Sequence, residues 1–335
     1  MADVLVVNAG STSLKLALVA PDDDTSQPAT LEEAREADVG AVGHRVVHGG
    51  AGYDRPTLVD ETVKRQMDRL AVLAPLQNVP ALQAIRQAER VFPDVPHVAV
   101  FDTAFHRTIP PEAHTYAVPA RWRDDWGIRR YGFHGLSVAW SASRVRVPRL
   151  VVCHLGGGCS ITAVRDGRSV DTTMGFSPLE GVPMATRSGS VDPGAIVYLL
   201  RERFLTLTEL DRALEHESGL LGLGGSSDPR KLEGTLALEV YGYRIAAAVA
   251  AMTAGLGGLD ALVFTAGVGE HSAPIRADVC RRLAFLGVEL DDEVNEKAVP
   301  ECEIAAGGSR VRLTVVAARE ELVIAREVRS LGYAS

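Results

Sequence analysis

Three cations stand where a purely structural residue would be out of place. Lys15 lies among leucines in NAGSTSLKLALV, Arg45 lies inside the apolar run AVGHRVV, and Arg187 lies in the small-residue loop ATRSGSVDP. Each can snorkel to solvent or join a structural ion pair. Each can also grip an anion, and arginine does so bidentately while staying charged when partly buried. The Asn8-Ala9-Gly10-Ser11-Thr12-Ser13 turn before Lys15 lets backbone N–H groups and hydroxyls approach phosphate oxygens without hindrance from Cβ atoms. It is not a Walker A loop, because G-x-x-x-x-G-K-[ST] is absent. Asp102 follows the apolar run HVAVF, where ligand-contacting residues collect in open α/β sheets, although an aspartate there also serves as a helix cap. His134 sits between Phe133 and Gly135. Glu320 and Glu321 open the last helical pattern, where carboxylates favour the helix dipole. Two further glycine turns, HLGGGCS and FTAGVGEH, follow strands without fitting G-x-G-x-x-G, which disfavours a dinucleotide cofactor. The chemistry these residues suit is the handling of phosphate and carboxylate.

The elements that must position them alternate between strand and helix. Residues 41–50 read as a strand entering a glycine turn, and 97–105 as a buried strand. Residues 63–74 and 80–92 carry helical spacing. The stretch 149–176 reads strand, glycine turn, strand, RDG turn, strand. Residues 236–256 form a long helix closed by Gly255, Gly257 and Gly258, and 259–270 hold the next strand. Ser272 is placed to cap a helix that stops at Gly287. The stretches 4–19 and 150–164 repeat one pattern, strand, short turn of small residues, strand. This predicts an internal duplication of two α/β domains sharing a cleft, residues 1–147 and 148–335, with the last helix (about 320–331) packing back on the first.

The whole chain agrees with a globular protein of two cores, at 335 residues, 46% hydrophobic and 23% charged. A net charge of −8 argues against nucleic acid or an anionic membrane as partner. No apolar run approaches transmembrane length, and Met1-Ala2-Asp3 lacks a basic leader, so the cytoplasm is expected. Cys153, Cys159, Cys280 and Cys302 show no C-x-x-C spacing.

In order and wording the stretches NAGSTSLK, GHRVVHGG, VFDTAFH, RRYGFHG, HLGGG, VDTTMGFSPLEG, TRSG, GLLGLGGSSDPR, VFTAGVGE and EELVIARE resemble the acetokinase family, from residue 4 to about 328. The resemblance implies two duplicated actin-like, ribonuclease H-like domains flanking a cleft, the first on the acyl side and the second on the nucleotide side. It implies reversible phosphoryl transfer from ATP to acetate with Mg²⁺ (or Mn²⁺), in a homodimer. By the same resemblance Asn8 and Glu320 help hold the metal, and Ser11, Ser13 and Lys15 lie near the phosphates. Arg45 and Arg187 grip the carboxylate and the transferring group, Asp102 is catalytic, and His134 stabilises the transition state. Val47, Leu76, Phe133 and Pro178 wall the methyl pocket. The nucleotide lies along His154, Leu155, Gly156, Gly157 and Gly158, along Asp228, Pro229 and Arg230, and along Gly267, Val268, Gly269, Glu270 and His271.

The chain departs from that pattern at four positions. Gly157 and His271 stand where the family has asparagine, Gln77 where it has histidine, and Ser190 where it has aspartate. It is also several tens of residues shorter than the family. Alternatives that keep the chemistry are propionate or butyrate as acceptor, or pyrophosphate as donor. An alternative of another class is a sensor of nucleotide or acyl phosphate that has lost catalysis. A carboxylate acceptor is already ionised near neutrality, so Asp102 is expected to order Mg²⁺ or its waters and to orient an arginine, not to abstract a proton.

Overall fold

The computed structural model describes residues 2–9, 14–70 and 75–334, with residues 75–77 by backbone alone. Twelve strands form two six-stranded mixed sheets among the described residues. The first holds β1 (Asp3–Ala9), β2 (Leu14–Val19), β3 (Thr25–Ser26), β4 (Val39–Val46), β5 (Thr57–Leu58) and β6 (His97–Phe101), in the order β3-β2-β1-β4-β6-β5. The second holds β7 (Arg149–Leu155), β8 (Cys159–Arg165), β9 (Arg168–Thr172), β10 (Ala261–Thr265), β11 (Cys302–Glu303) and β12 (Arg312–Val315). Read from its β9 edge, its order is β9-β8-β7-β10-β12-β11. Strand for strand the two sheets correspond. In each, the first strand pairs antiparallel with the second and parallel with the fourth, and a two-residue strand closes the far edge. The duplication expected from 4–19 and 150–164 is therefore the organising feature of the fold.

The strands at the middle of each sheet are parallel and covered on both faces, which demands continuous apolar runs instead of alternation. Val4, Leu5, Val6 and Val7 meet this in β1, as do Leu150 to Cys153 in β7, all at or below 1% exposure. The chain divides into two compact units that are not separated by one cut. Unit 1 comprises Met1–Arg107, Phe133–Trp140 and Arg319–Ser335, and unit 2 comprises Thr108–Gly132 and Ser141–Ala318. In unit 1 the helix Glu320–Ser330 packs on β1 and β4 through Leu322, Ile324, Ala325 and Val328. Gly43 permits this approach, since a Cβ there would lie 2.6 Å from Ile324 Cγ2 and 3.0 Å from Val328 Cγ2. In unit 2 the helix Leu236–Leu256 buries Tyr241, Ile245, Val249 and Met252 against β7 and β8. It ends at Gly257, whose φ of +73° closes the helix in the left-handed region.

Three local expectations are corrected. The strand 97–105 stops at Phe101, and Asp102 opens a tight 3₁₀ segment, Asp102–Thr108. FTAGVGEH does not form a glycine turn: β10 passes through Ala266, at φ +65°, directly into the short helix Ala266–His271. Ser272 makes no capping bond through its side chain, and the helix it precedes ends at Arg282. The buried Arg276 guanidinium does the fastening there, donating to the carbonyls of Gly269 and Glu270 and to Asn295. No helix among the described residues is long and apolar enough to cross a membrane.

Candidate active site

Unit 1 gathers Asn8, Arg45, Asp102 and Glu320 from four separate parts of the chain. Arg45 lies at the end of β4, Asp102 directly after the parallel β6, Asn8 near the end of the parallel β1, and Glu320 opens the covering helix. Parallel strands share one C-terminal edge, so the topology alone brings the first three together. Arg45 donates to Asp102 as a fork, Nε to Oδ1 at 3.1 Å and Nη2 to Oδ2 at 2.7 Å. Its Nη1 reaches Glu320 Oε2 at 3.0 Å and Asn8 Oδ1 at 3.4 Å, and Asn8 Nδ2 donates to Glu320 Oε2 at 3.4 Å. Asp102 is fully buried, while the Arg45 and Glu320 side chains are 17% and 14% exposed. Burial works against the Arg45 charge, but Asp102 and Glu320 outweigh it and hold the guanidinium pKa above its ordinary value.

Lys15 stands directly opposite Asn8 in the β1–β2 ladder, so both side chains leave the same face. Lys15 is exposed, as both a snorkelling lysine and one that reaches for a ligand would be. Ser11 and Ser13, and the side chains of Leu76 and Gln77, lie outside the described residues.

His134 adopts φ +58°, uncommon for a residue with a Cβ and a mark of functional sites. The next residue must be glycine, since a Cβ on Gly135 would overlap the Asp102 carbonyl. His134 is thereby locked beside the Asp102 turn. Phe133 is buried, and Val47, just past β4, is half-buried. His106 was not foreseen from the sequence. Its Nε2 lies 2.9 Å from the Phe133 carbonyl, to which it must donate. Burial pushes the His106 pKa down to about 4, with the Phe133 carbonyl and Asp102 pulling the other way, so the ring is neutral near pH 7. It anchors the backbone that carries His134.

Unit 2 holds the other predicted residues. His154 and Leu155 end β7, Gly156 to Gly158 make the turn, and Gly156 N donates to Gly158 O at 3.0 Å. Gly156 approaches Ala266, which opens the helix carrying Gly267, Val268, Gly269, Glu270 and His271. Gly157 O accepts from Ala185 N at 3.4 Å, tying the hairpin to the Arg187 loop. Arg187 Nη1 donates to Pro178 O at 2.8 Å, and its Nε lies 3.8 Å from Glu215 Oε2. Burial lowers the Arg187 pKa, with Glu215 opposing. Gly219, at φ +60°, lets the backbone of residues 184–187 pass against it. Asp228 caps the short turn Pro229–Lys231 and pairs bidentately with the exposed Arg230. Glu270 Oε1 accepts from Ala318 N at 2.9 Å, and His271 is exposed. Glu215 had no signal in the sequence, because it is one of several acidic residues on a surface helix.

The asparagine missing at position 157 can be restored without strain. A Cβ on Gly157 meets nothing within 4 Å, and its φ is not in the left-handed region. Gly157→Asn is expected to tighten MgATP binding or raise turnover, by up to about 100-fold if one charge-assisted hydrogen bond of about 1.5–3 kcal/mol forms. The Michaelis constant and turnover of both forms decide it. An unchanged pair of values would mean that the 155–159 hairpin works without that amide.

Comparison with known proteins agrees with the fold. Residues 27–326 match the acetokinase family. A protein named acetate kinase from Protochlamydia amoebophila (strain UWE25) is 46% identical over 312 residues, spanning 89% of this chain and 78% of that protein. Another of that name, from Gloeobacter violaceus, is 47% identical over 313 residues, spanning 88% and 77%. A crystal structure of a propionate kinase from Francisella tularensis superposes with a TM-score of 0.90 at 34% identity, covering 98% of this chain and 99% of that one. That of Porphyromonas gingivalis acetate kinase gives 0.86 at 32% identity, covering 99% and 100%. With the duplicated sheets and the Arg45 cluster, these likenesses leave one assignment: the chain belongs to the acetokinase family.

Proposed function

We propose that the protein is an acetate kinase, moving the terminal phosphoryl group of ATP to acetate reversibly to give acetyl phosphate and ADP. What carries the reading is the connected Asn8–Arg45–Asp102–Glu320 cluster in a chain 46–47% identical to proteins named acetate kinase. By the family resemblance unit 1 then serves the acyl substrate and unit 2 the nucleotide. A sensor without catalysis has no use for a buried carboxylate that orients an arginine, so that alternative is disfavoured.

Phosphorylating a carboxylate brings two anions together, at a cost of about 4 kcal/mol per contact pair at an effective dielectric near 20. Arg45, Arg187 and Lys15 offset it, and His134 adds a hydrogen bond to the charge that grows in the transition state. No base is needed, because the nucleophile is ionised at pH 7. Asp102 spends its carboxylate on the Arg45 fork and holds that guanidinium in register with the acceptor. One guanidinium against two carboxylates leaves the cluster net negative, which suits a divalent cation arriving with the nucleotide. Mg²⁺ takes oxygen ligands, commonly one or two carboxylates completed by substrate phosphates and water. Glu320 and the Asn8 carbonyl fit that donor set. Among the described residues no group of three or more His, Cys, Asp or Glu could hold a metal by itself. The bound ion would neutralise charge on the phosphates.

Trapping of acyl phosphate as the hydroxamate, with acetate, propionate and butyrate, each with ATP and with pyrophosphate, tests the reading. Product with acetate and ATP is expected. The likeness to a propionate kinase keeps the longer acceptors in the test, since one methylene is worth only about 1–3 kcal/mol. No product with any pair would refute the enzyme. The reaction is assigned to the cytoplasm, where ATP is available.

A homodimer is proposed as well. The helix Pro193–Arg201, of sequence PGAIVYLLR, buries none of its residues. The rings of Tyr198 and Phe204 lie 5.7 Å apart and the two residues are 55% and 63% exposed, an apolar face of the kind that marks an interface. Light scattering should give twice the chain mass for the wild type and about one chain mass for Phe204→Asp. A monomeric wild type would remove the dimer.

A further inference from the structure

Residues 173–192 join β9 to the helix Pro193–Arg201 and contain neither helix nor strand. Connections longer than about 12–15 residues without secondary structure are uncommon in compact domains, and those that exist are usually functional. Arg187 lies in this one, where single backbone bonds such as Ser188 N to Leu214 O and Met184 N to Arg187 O stand in place of a ladder. The stretch ahead of it is held by Arg130. Its Nη1 donates to three successive carbonyls, Thr172, Thr173 and Met174, at 2.8, 2.9 and 3.2 Å. Its Nη2 donates to Glu180 Oε1 at 3.0 Å, and its guanidinium lies 5.6 Å from the Tyr116 ring centroid. The Tyr116 hydroxyl donates to Glu180 Oε2 and accepts from Phe176 N at 3.1 Å. A Cβ on Gly175 would push the Glu180 carboxylate and the Tyr116 hydroxyl out of this arrangement. Tyr131 N closes the arrangement on Gly175 O at 2.9 Å.

Between the held residues 172–176 and Glu180 lies Pro178, whose carbonyl takes the Arg187 hydrogen bond at 2.8 Å. The other side of that guanidinium faces Glu215. We propose that Arg130, with Tyr116 and Glu180, is a positioning residue that aims Arg187 by fixing the carbonyl of Pro178. Arg130 itself is not a substrate ligand in this arrangement. Its two terminal nitrogens are committed to protein acceptors and its side chain is only 16% exposed. The inference rests on the role given to Arg187 in the transfer, and lysine at position 130 would keep the charge but not the fork.

Two measurements on folded variants test it. In the first, Arg130→Lys should lower kcat on the order of 10²-fold through a misplaced Arg187, with little change in the Michaelis constant for MgATP. The same substitution should cost almost nothing further in an Arg187→Ala background. Equal losses in both backgrounds would overturn the proposal, because a general structural role is additive. In the second, the rate of Arg187 modification by phenylglyoxal, read by peptide mass spectrometry, should rise several-fold in Arg130→Lys. An unchanged rate would overturn it. This second readout needs no catalysis, so it still decides the proposal if Arg187→Ala keeps full activity and the assigned role of Arg187 fails. Tyr116→Phe, which removes one hydroxyl, gives the same two outcomes if Arg130→Lys does not fold.

Discussion

Replacing Arg45 by alanine is expected to lower turnover by about 10³–10⁵-fold, the range found when an arginine that steadies a transferring phosphoryl group is lost. Two effects combine. The transition state loses a guanidinium, and the fully buried Asp102 loses the fork that pairs it. Breaking a buried pair by removing one partner destabilises by about 3–5 kcal/mol, so the melting temperature should fall too. Arg45→Lys separates the effects. A lysine restores charge near Asp102 and much of the stability, but a single ammonium cannot reach Asp102 twice and Glu320 once. The expected result is a folded Arg45→Lys protein that remains at least about 100-fold impaired. Wild-type turnover in folded Arg45→Ala would remove Arg45 from the mechanism.

Asp102→Asn should be the next most damaging change. An asparagine can still accept one hydrogen bond, but its amide would then point N–H groups at an Arg45 donor. With one charge-assisted bond of about 1.5–3 kcal/mol lost and the other left neutral at about half that strength, the loss in turnover should be about 10²–10³-fold. The Mg²⁺ concentration needed for half-maximal rate should rise, because the cluster becomes less anionic. The pH profile distinguishes this role from proton abstraction. The acceptor is ionised well above its pKa near 4–5, so between pH 6 and 8 variant and wild type should run parallel. Loss of a low-pH limb on mutation would make Asp102 a general base and sink the assignment.

What could be read from the residues and what could not divide along a physical line. The paired hairpins at 4–19 and 150–164 were legible because apolar runs broken by small residues report strands and turns locally. Their consequence, two sheets of the same order, is the observed fold. Arg45, Asp102 and Glu320 stood out as charges in apolar or terminal settings, and they converge. His106, Glu215 and the Arg130–Tyr116–Glu180 set did not stand out. Their partners lie far away in sequence and on irregular backbone, where no periodicity exists to betray them. The Ser272 cap failed for a related reason, since Arg276, buried four residues on, binds the carbonyls of the preceding helix instead.

The interleaving of the two units bears on how the protein is made. During translation the whole of residues 141–318 emerges before the helix that carries Glu320. At roughly 5–20 residues per second, Glu320 follows Asp102 by about 10–40 s, long after isolated helices and hairpins form. Through that interval β1 and β4 lack the helix that covers Gly43, and an apolar face of the first sheet stays open. Unit 2 can close on the ribosome while unit 1 waits. The first sheet of a nascent chain is therefore left uncovered until unit 2 has been made, and only then does the carboxylate that completes the Arg45 cluster arrive.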